Sequence, residues 1–180
     1  MRNTKHNKIQ QLCYDRGVPI RYLILITLSG FVVSIDQVTK LYMALHFTEG
    51  EVQPFIQGFL SFTYQKNIFG VFDIFQNLDP TIRTAFFLLV PILALLITLL
   101  IFIFAKNMEQ IPAIGLALIS GGALGNLLDR IRFNSVVGFL HFEYIPKKHP
   151  MNVADIFLCL GGALLVFYII FFLKKDEKQI

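Results

Sequence analysis

The chain has 180 residues, of which 55% are hydrophobic and only 16% are charged, so its composition excludes an ordinary soluble domain. The net charge of +4 does not indicate a nucleic-acid partner, because no basic stripe is interleaved with stacking aromatic residues. Cys13 and Cys159 lie far apart in the sequence and predict neither a disulfide nor a zinc site.

Four apolar stretches predict four membrane-spanning helices. Three of them contain no charged residue over the roughly 18 to 22 residues that a helix needs to cross a hydrocarbon core about 30 Å thick. The first is shorter and reaches this length only if the helix continues past Ile35 into more polar sequence. The predicted spans, within one integral membrane domain at 1–180, are at about 22–45, 84–105, 111–128 and 153–173.

The distribution of Lys and Arg predicts the orientation of the bundle. Four spans place both termini on the same side, where nine basic residues lie, whereas the longer segments on the opposite side contain six. Since basic segments remain in the cytoplasm, both termini are expected there, with 47–83 and 129–152 in the periplasm. Short aromatic and β-branched pieces in 47–83 predict a small β-sheet, followed by a short amphipathic helix on the membrane surface.

The first span ends in Asp36-Gln37-Val38-Thr39-Lys40, where an acid and a base four residues apart share one helix face. Two interpretations stay open. The pair either neutralises itself at the exit from the membrane or binds a lipid headgroup or a substrate backbone. Further along, Asn67-Ile68-Phe69-Gly70 contains residues that favour a tight turn.

The third span combines close packing with a charged end. Small residues recur at intervals of four, which predicts a face for a neighbouring helix; they are Ala117, Gly121 and Gly125. At the end of this span Asp129 opposes the helix dipole, so we expect a cation to stabilise it, with Arg130 or Arg132 as the nearest candidate. Asn134-Ser135 then predicts a turn into an extended segment.

The fourth span begins at Asn152-Val153-Ala154-Asp155, which places a carboxylate at the membrane boundary. A capping box is the local explanation. However, many other polar residues map to the same membrane depth: Asp36, Lys40, Asn67, Asn126, Asp129, Arg130, Asn152 and Asp155. Carboxylates at this depth suggest hydrolysis of a peptide bond by two carboxyl groups that share a proton and activate water.

Four blocks resemble, in order, motifs of the bacterial lipoprotein signal peptidases, or signal peptidase II. They are Asp36-Gln37-Val38-Thr39-Lys40, Asn67-Ile68-Phe69-Gly70-Val71-Phe72, Gly121-Gly122-Ala123-Leu124-Gly125-Asn126-Leu127-Leu128-Asp129-Arg130 and Asn152-Val153-Ala154-Asp155. The resemblance implies an all-α membrane fold, a four-helix bundle of the bacterial inner membrane, in which the periplasmic sheet and the surface helix form a cradle. It also implies an aspartic endopeptidase that cleaves prolipoproteins before a diacylglyceryl cysteine, without metal or cofactor.

The resemblance further assigns roles to residues. Asp155 corresponds to one of two catalytic aspartates. The residues implied to shape the site or to position substrate and lipid are Asp36, Lys40, Asn67, Gly122, Asn126, Asp129, Arg130, Asn152 and Ala154. The expected partners are prolipoprotein signal peptides and membrane phospholipid, and the chain is expected to be a monomer.

One position departs from the family pattern. The second aspartate belongs to a Val-Val-Asp-Phe pattern, which here reads Val136-Val137-Gly138-Phe139. Asp129 and Glu143 are the candidate substitutes, although Glu143 is an odd number of residues from Gly138 and points to the other face of an extended segment. We expect an extended Gly138 to tolerate a Cβ atom, so that Gly138→Asp restores the pair of carboxyl groups.

Three functions are compatible with these residues. The first is a signal peptidase whose activity is weakened by Gly138. The second is an inactive relative that binds lipoprotein signal peptides or lipid without cutting. A small ion or proton carrier ranks last, because the sequence has no inverted repeat and its acids lie at one membrane face.

Overall fold

The computed structural model describes residues 19–67, 79–105, 108–144 and 149–173. Its helices are α1 (Ile20–His46), α2 (Pro80–Phe104), α3 (Gln110–Phe133) and α4 (Val153–Tyr168), and a π-helical turn at Ile169–Leu173 continues α4. Its strands are β1 (Val52–Ile56), β2 (Leu60–Asn67) and β3 (Val136–Phe142). All four helices are long and apolar enough to cross a membrane. The predicted four-helix membrane bundle with a small sheet is therefore confirmed.

Helix ends differ from the predicted spans in two places. α2 begins at Pro80, earlier than predicted, because the Asp79 carboxylate caps the helix by accepting a 2.8 Å hydrogen bond from the Thr81 amide. Proline suits the first helical position, where its missing N–H has no helical partner. α3 continues to Phe133, past the predicted end of the third span at 128.

α3 is the central helix of the bundle. Most of its apolar stretch is buried, whereas fewer than one residue in five is buried in the corresponding stretches of the other helices. Its glycines explain how close the neighbours come, since a Cβ on Gly121 would lie 2.6 Å from the Val32 Cβ of α1. A Cβ on Gly122 would lie 2.6 Å from the Ala154 carbonyl oxygen of α4. The predicted small-residue packing face is therefore confirmed.

The sheet has the order β1-β2-β3 with antiparallel neighbours. It packs on the C-terminal half of the bundle's first helix, because both β2 and β3 contact α1. Asn134 ends α3 with a φ of 51°, a left-handed conformation that asparagine tolerates, and this confirms the predicted turn into β3. In the β2–β3 register Gln65 lies opposite Gly138.

The chain before α4 extends the sheet by one short pairing. The Leu140 amide donates to the Met151 carbonyl at 2.8 Å, and the Met151 amide donates to the Leu140 carbonyl at 2.9 Å. This pairing places Pro150 directly beside β3. The predicted surface helix, and the part of the second sequence block that follows Asn67, lie outside the described residues.

Candidate functional site

Three charged side chains meet inside the bundle near the sheet. The Lys40 Nζ lies 2.7 Å from Asp36 Oδ2 and 2.8 Å from Asp129 Oδ2. All three side chains are almost completely buried, with exposed fractions of 0% for Asp36, 4% for Lys40 and 2% for Asp129. An unpaired buried charge costs several kcal/mol. The contacts between these groups are therefore what allows α1 and α3 to place charge in the interior.

Asp129 is stabilised from α1 and from β3. Besides the lysine contact, its Oδ1 accepts a 2.9 Å hydrogen bond from Gln37 Nε2, and its Oδ2 accepts a 3.2 Å bond from the Val137 amide. The direct ion pair comes from Lys40 of α1 and not from Arg130 or Arg132, the candidates nearest in sequence, although Arg130 also attracts Asp129 electrostatically. Arg132 touches the network only indirectly, by donating to Gln37 Oε1 at 3.2 Å.

The Asp36–Lys40 pair lies in the interior, and its 2.7 Å contact confirms the interpretation of a pair that neutralises itself. Binding of a lipid headgroup or a substrate backbone by this pair stays a prediction. Asp36 Oδ1 accepts a 2.9 Å hydrogen bond from the Ala154 amide in the first turn of α4. Gly125 makes room for this carboxylate, since a Cβ there would lie 2.6 Å from Asp36 Oδ2. The pair therefore joins α1, α3 and α4 at one point.

Asn126 connects the buried charges to the fourth helix. Its amide oxygen accepts hydrogen bonds from Lys40 Nζ at 3.1 Å and from Asn152 Nδ2 at 3.0 Å. Its amide nitrogen donates to Asp155 Oδ1 at 2.8 Å. Because both ends of the amide have partners, the side chain is fixed in one orientation.

Asp155 is both a helix cap and the exposed end of this network. The capping box is confirmed, with the Asp155 amide donating to Asn152 Oδ1 at 2.9 Å and the Asn152 amide donating to Asp155 Oδ2 at 3.1 Å. Unlike Asp36 and Asp129, Asp155 is only partly buried. A carboxylate that receives a donor on each oxygen and still reaches the surface can exchange a proton with a bound molecule.

Arg130 contributes positive charge beside this carboxylate. Its guanidinium is attracted electrostatically to Asp155 and to Asp129. It lies 5.4 Å from the centroid of the Phe87 ring of α2, which stacks against it as a cation–π partner. This contact brings α2 to the same end of the bundle.

Gly138 lies next to the site, and the backbone of Pro150 occupies the space where a side chain at this position would lie. The carbonyl of Val137 accepts a 2.9 Å hydrogen bond from Asn152 Nδ2, which places β3 beside the start of α4. A Cβ on Gly138 would lie 2.9 Å from the Pro150 carbonyl carbon and closer still to its oxygen. The expectation that a Cβ is tolerated here was wrong. Gly138 does not have a positive φ, so the obstacle is close backbone packing and not the conformation of the glycine.

Neither candidate substitute for the second carboxyl group is free beside Gly138. Both oxygens of Asp129 are engaged with Lys40, Gln37 and Val137. Glu143 is exposed and accepts a hydrogen bond from the Ser61 hydroxyl. It follows Gly138 by five residues, which corresponds to about 16 Å of extended chain.

Other predicted residues are placed as follows. Gly122 and Ala154 form the close contact between α3 and α4. Asn67 ends β2 opposite Val136, with its side chain outside the described part of the chain. Within the described ranges, no group of three His, Cys, Asp or Glu side chains could hold a metal ion. The site residue that sequence reasoning missed is Gln37, for which the signal was an uncharged polar side chain inside a span and next to Asp36.

Comparison with known proteins matches most of the chain to one protein family. Residues 28–171 match the family model described as signal peptidase (SPase) II. A lipoprotein signal peptidase of Desulforapulum autotrophicum is 37% identical over 79% of this chain and 89% of its own length. The enzymes of the same name from Clostridium tetani and Syntrophus aciditrophicus are 36% and 38% identical, each over 87% of this chain and over 95% and 96% of their own lengths.

Solved structures agree with these sequence matches. Two structures of a bacterial membrane enzyme, determined by the in meso method at 2.3 Å and 1.9 Å resolution, superimpose with TM-scores of 0.72 and 0.73. Each is 28% identical, and the matches cover 87% and 82% of this chain and 91% and 93% of the respective solved chains. The four helices and the sheet are thus similar to a known membrane-enzyme architecture.

Proposed function

The chain belongs to the signal peptidase II family, and from this premise we propose that it removes signal peptides from diacylglyceryl-cysteine prolipoproteins with Asp155 as the catalytic carboxylate. The accessibility of Asp155 carries this proposal. Asp36 and Asp129 are buried and paired with Lys40, whereas Asp155 is partly exposed and held by donors on both oxygens. The name shared by the relatives supports the class of substrate.

In the proposed reaction, Asp155 serves first as a base and then as an acid. Its carboxylate takes a proton from water while the water oxygen bonds to the scissile carbonyl carbon. When the tetrahedral intermediate collapses, the carbon–nitrogen bond breaks and the proton passes from Asp155 to the leaving nitrogen. With Gly138 in the second position, no partner carboxyl group shares this proton, so the proposed rate is low.

The surrounding residues have distinct roles in this proposal. Asn126 and Asn152 hold the Asp155 carboxylate, and Arg130 provides positive charge beside it. The buried residues Asp36, Lys40 and Asp129 are positioning residues that hold the helices around the site. Gly122 and Ala154 set the distance between α3 and α4, while Asn67 is proposed to position substrate at the end of β2.

The proposed location is the bacterial inner membrane, with a monomer whose termini face the cytoplasm and whose sheet faces the periplasm. Cysteine labelling of intact spheroplasts tests this orientation, using Gln57→Cys and Lys147→Cys in a Cys13→Ser/Cys159→Ser background. Both introduced cysteines should react with an impermeant maleimide before lysis. If both cysteines react only after lysis, the sheet faces the cytoplasm and the proposed orientation is wrong.

A second candidate function is a binding protein that retains prolipoproteins without cutting them. The observation that favours it is the Pro150 backbone, which closes the position where a Cβ of residue 138 would lie. As a binding protein, the chain would use Asp155 only as a helix cap. The polar network around Asp155 would stabilise the surface that binds the prolipoprotein.

A gel-shift assay with a diacylglyceryl prolipoprotein distinguishes the two candidates. Purified parent and Asp155→Asn proteins are incubated with the lipidated precursor, and a pull-down with each protein measures precursor retention. Cleavage by the parent that is lost in Asp155→Asn supports the peptidase. Retention by both proteins without cleavage by either supports the binding protein.

A further inference from the structure

A cavity of about 370 Å³ lies between α1, β2 and the C-terminal end of α3. Its volume is in the range that holds a small molecule or a headgroup. It shares the buried Lys40 and Asp129 with the charge cluster, but Asp155 and Arg130 do not line it. The cavity is therefore separate from the carboxylate to which we assign cleavage.

Two cations at this cavity have no acidic partner in the described part of the chain. Lys66 and Arg132 are both exposed, and Arg132 donates to the uncharged Gln37 amide. The one acid among the described lining residues, Asp129, lies 2.8 Å from Lys40, which also pairs with Asp36. The cavity thus presents uncompensated positive charge at its edge.

The remaining wall of the cavity is apolar and continuous with the outside of the bundle. Val38 and Leu41 line it from α1 with exposed fractions of 65% and 60%, and Phe133 lines it from α3 with 54%. These side chains lie at the end of the helices where the bundle meets the sheet, with Tyr64 beside them on β2. Tyrosine at this level is typical of the boundary between headgroups and hydrocarbon.

We propose that this cavity binds an anionic phospholipid from the membrane leaflet on the sheet side of the bundle. Lys66 and Arg132 bind its phosphate, and the acyl chains lie along Val38 and Leu41. Arginine suits this role because its fork of donors matches phosphate oxygens. A diacylglyceryl group attached to a cysteine carries no charge, so the two cations favour a phospholipid over the lipid of the proposed substrate.

The bound lipid would touch the buried network at a defined point. Arg132 donates to Gln37, and Gln37 donates to Asp129, so a phosphate that engages Arg132 acts on the residues that hold α1 against α3. The inference does not rest on the proposed cleavage. It rests on the charge and the apolar wall of the cavity.

Native mass spectrometry of the full chain in detergent tests this site, with dioleoylphosphatidylglycerol and dioleoylphosphatidylcholine as probes. We expect the parent to retain one phosphatidylglycerol at least fivefold more tightly than phosphatidylcholine, since each basic residue near a membrane surface contributes about 1 kcal/mol, or roughly fivefold. Lys66→Gln and Arg132→Gln should each weaken phosphatidylglycerol binding by about fivefold, and the double variant by about twenty-five-fold. Retention of phosphatidylcholine should fall less, because its choline ammonium offsets the charge of the phosphate that the two cations bind.

Three controls make the result specific. Arg83→Gln removes one positive charge near the start of α2, at a described residue that does not line the cavity, and should leave retention unchanged. The double variant Lys66→Arg/Arg132→Lys keeps both charges and should keep the preference for phosphatidylglycerol. Glycerol 3-phosphate, which lacks acyl chains, should not displace the lipid at equal concentration.

Equal retention of the two lipids by the parent, or unchanged retention by the Lys66→Gln/Arg132→Gln variant, would overturn the proposal. Displacement by glycerol 3-phosphate would also overturn it in favour of a site for a free phosphate compound. No step of this test measures cleavage, so a failure of the peptidase proposal and a failure of the lipid site are distinguishable.

Discussion

The two ends of the helical bundle are held together by different chemistry. At the end near the sheet, side chains bond to side chains through the contacts of Lys40 and Asn126. At the opposite end the core is apolar, with Phe102, Ala113 and Leu116 buried together. Polar groups there donate to backbone carbonyls, as Tyr22 does to the Phe102 oxygen at 3.0 Å.

The difference has a physical consequence. Apolar contacts depend on area and volume, and they tolerate replacement by side chains of similar size. Hydrogen bonds and ion pairs between side chains require one geometry and cost several kcal/mol when one partner is lost. We infer that the apolar end mainly stabilises the bundle, while the polar end fixes where the Asp155 carboxylate lies.

The largest expected effect comes from breaking the polar end. Lys40→Met leaves two buried carboxylates without a cation, and we expect unfolding to become easier by about 3 to 5 kcal/mol. Thermal unfolding of the purified protein in detergent measures this change. A melting temperature equal to that of the parent would show that the buried ion pairs contribute little.

A combined variant sharpens the same comparison. Asp36→Asn/Lys40→Met/Asp129→Asn removes all three charges together, so it should recover part of the stability lost in Lys40→Met. Cleavage should stay low, because Asn126 still lacks the lysine that fixes its orientation. Recovery of both stability and cleavage would contradict a positioning role for the charged cluster.

An intermediate effect is expected at Gly138. Gly138→Ala forces a Cβ against the Pro150 backbone, and overpacking of this kind costs about 1 to 3 kcal/mol. Gly162→Ala is the matched control, since nothing lies within 4 Å of the added atom. Thermal unfolding of both variants should show a loss only for Gly138→Ala, and equal melting temperatures would show that the Pro150 segment moves aside freely.

Gly138→Asp introduces a carboxyl group together with the Cβ atom. A carboxyl group at this position also carries the Cβ that meets the Pro150 backbone, so we expect a lower melting temperature and no large gain in prolipoprotein cleavage. A gain of orders of magnitude without loss of stability would instead show that the site readily accepts a second aspartate.

The smallest effect is expected at the apolar end. Phe102→Leu keeps a large apolar side chain at a fully buried position, so the stability loss should stay below about 1.5 kcal/mol. Cleavage per folded molecule should equal that of the parent. A selective loss of cleavage at unchanged stability would mean that the apolar end also positions the site.

The sequence predicts the apolar spans and their packing better than it predicts the polar contacts at the end of the bundle near the sheet. Three of the four spans follow from apolar length alone, because the hydrocarbon thickness sets how many residues a helix needs. The first span also required the helix to continue past Ile35 into polar sequence, as it does. The small residues of α3 likewise predicted its packing face. The helix α3 extends beyond the predicted span, which stopped before the charged Asp129, and the lysine that pairs with Asp129 lies on another helix.

Contacts distant in sequence account for what was missed at the site. The partner of Asp129 lies 89 positions earlier in the chain, and local rules favoured the adjacent arginines. The space at Gly138 depends on the path of Pro150, which follows from backbone pairing between β3 and Met151. The four blocks predicted which residues belong to the site, whereas the distances between these residues depend on the fold.

The central claim is that Asp155 is the carboxylate that performs cleavage, beyond its role as a helix cap. The most direct measurement is the rate at which parent and Asp155→Asn proteins cleave a diacylglyceryl prolipoprotein, each at a confirmed equal folded fraction. Loss of a general acid–base group predicts a decrease of at least about a hundredfold in the variant. Cleavage by Asp155→Asn at the rate of the parent would contradict the claim and leave Asp155 with the capping role alone.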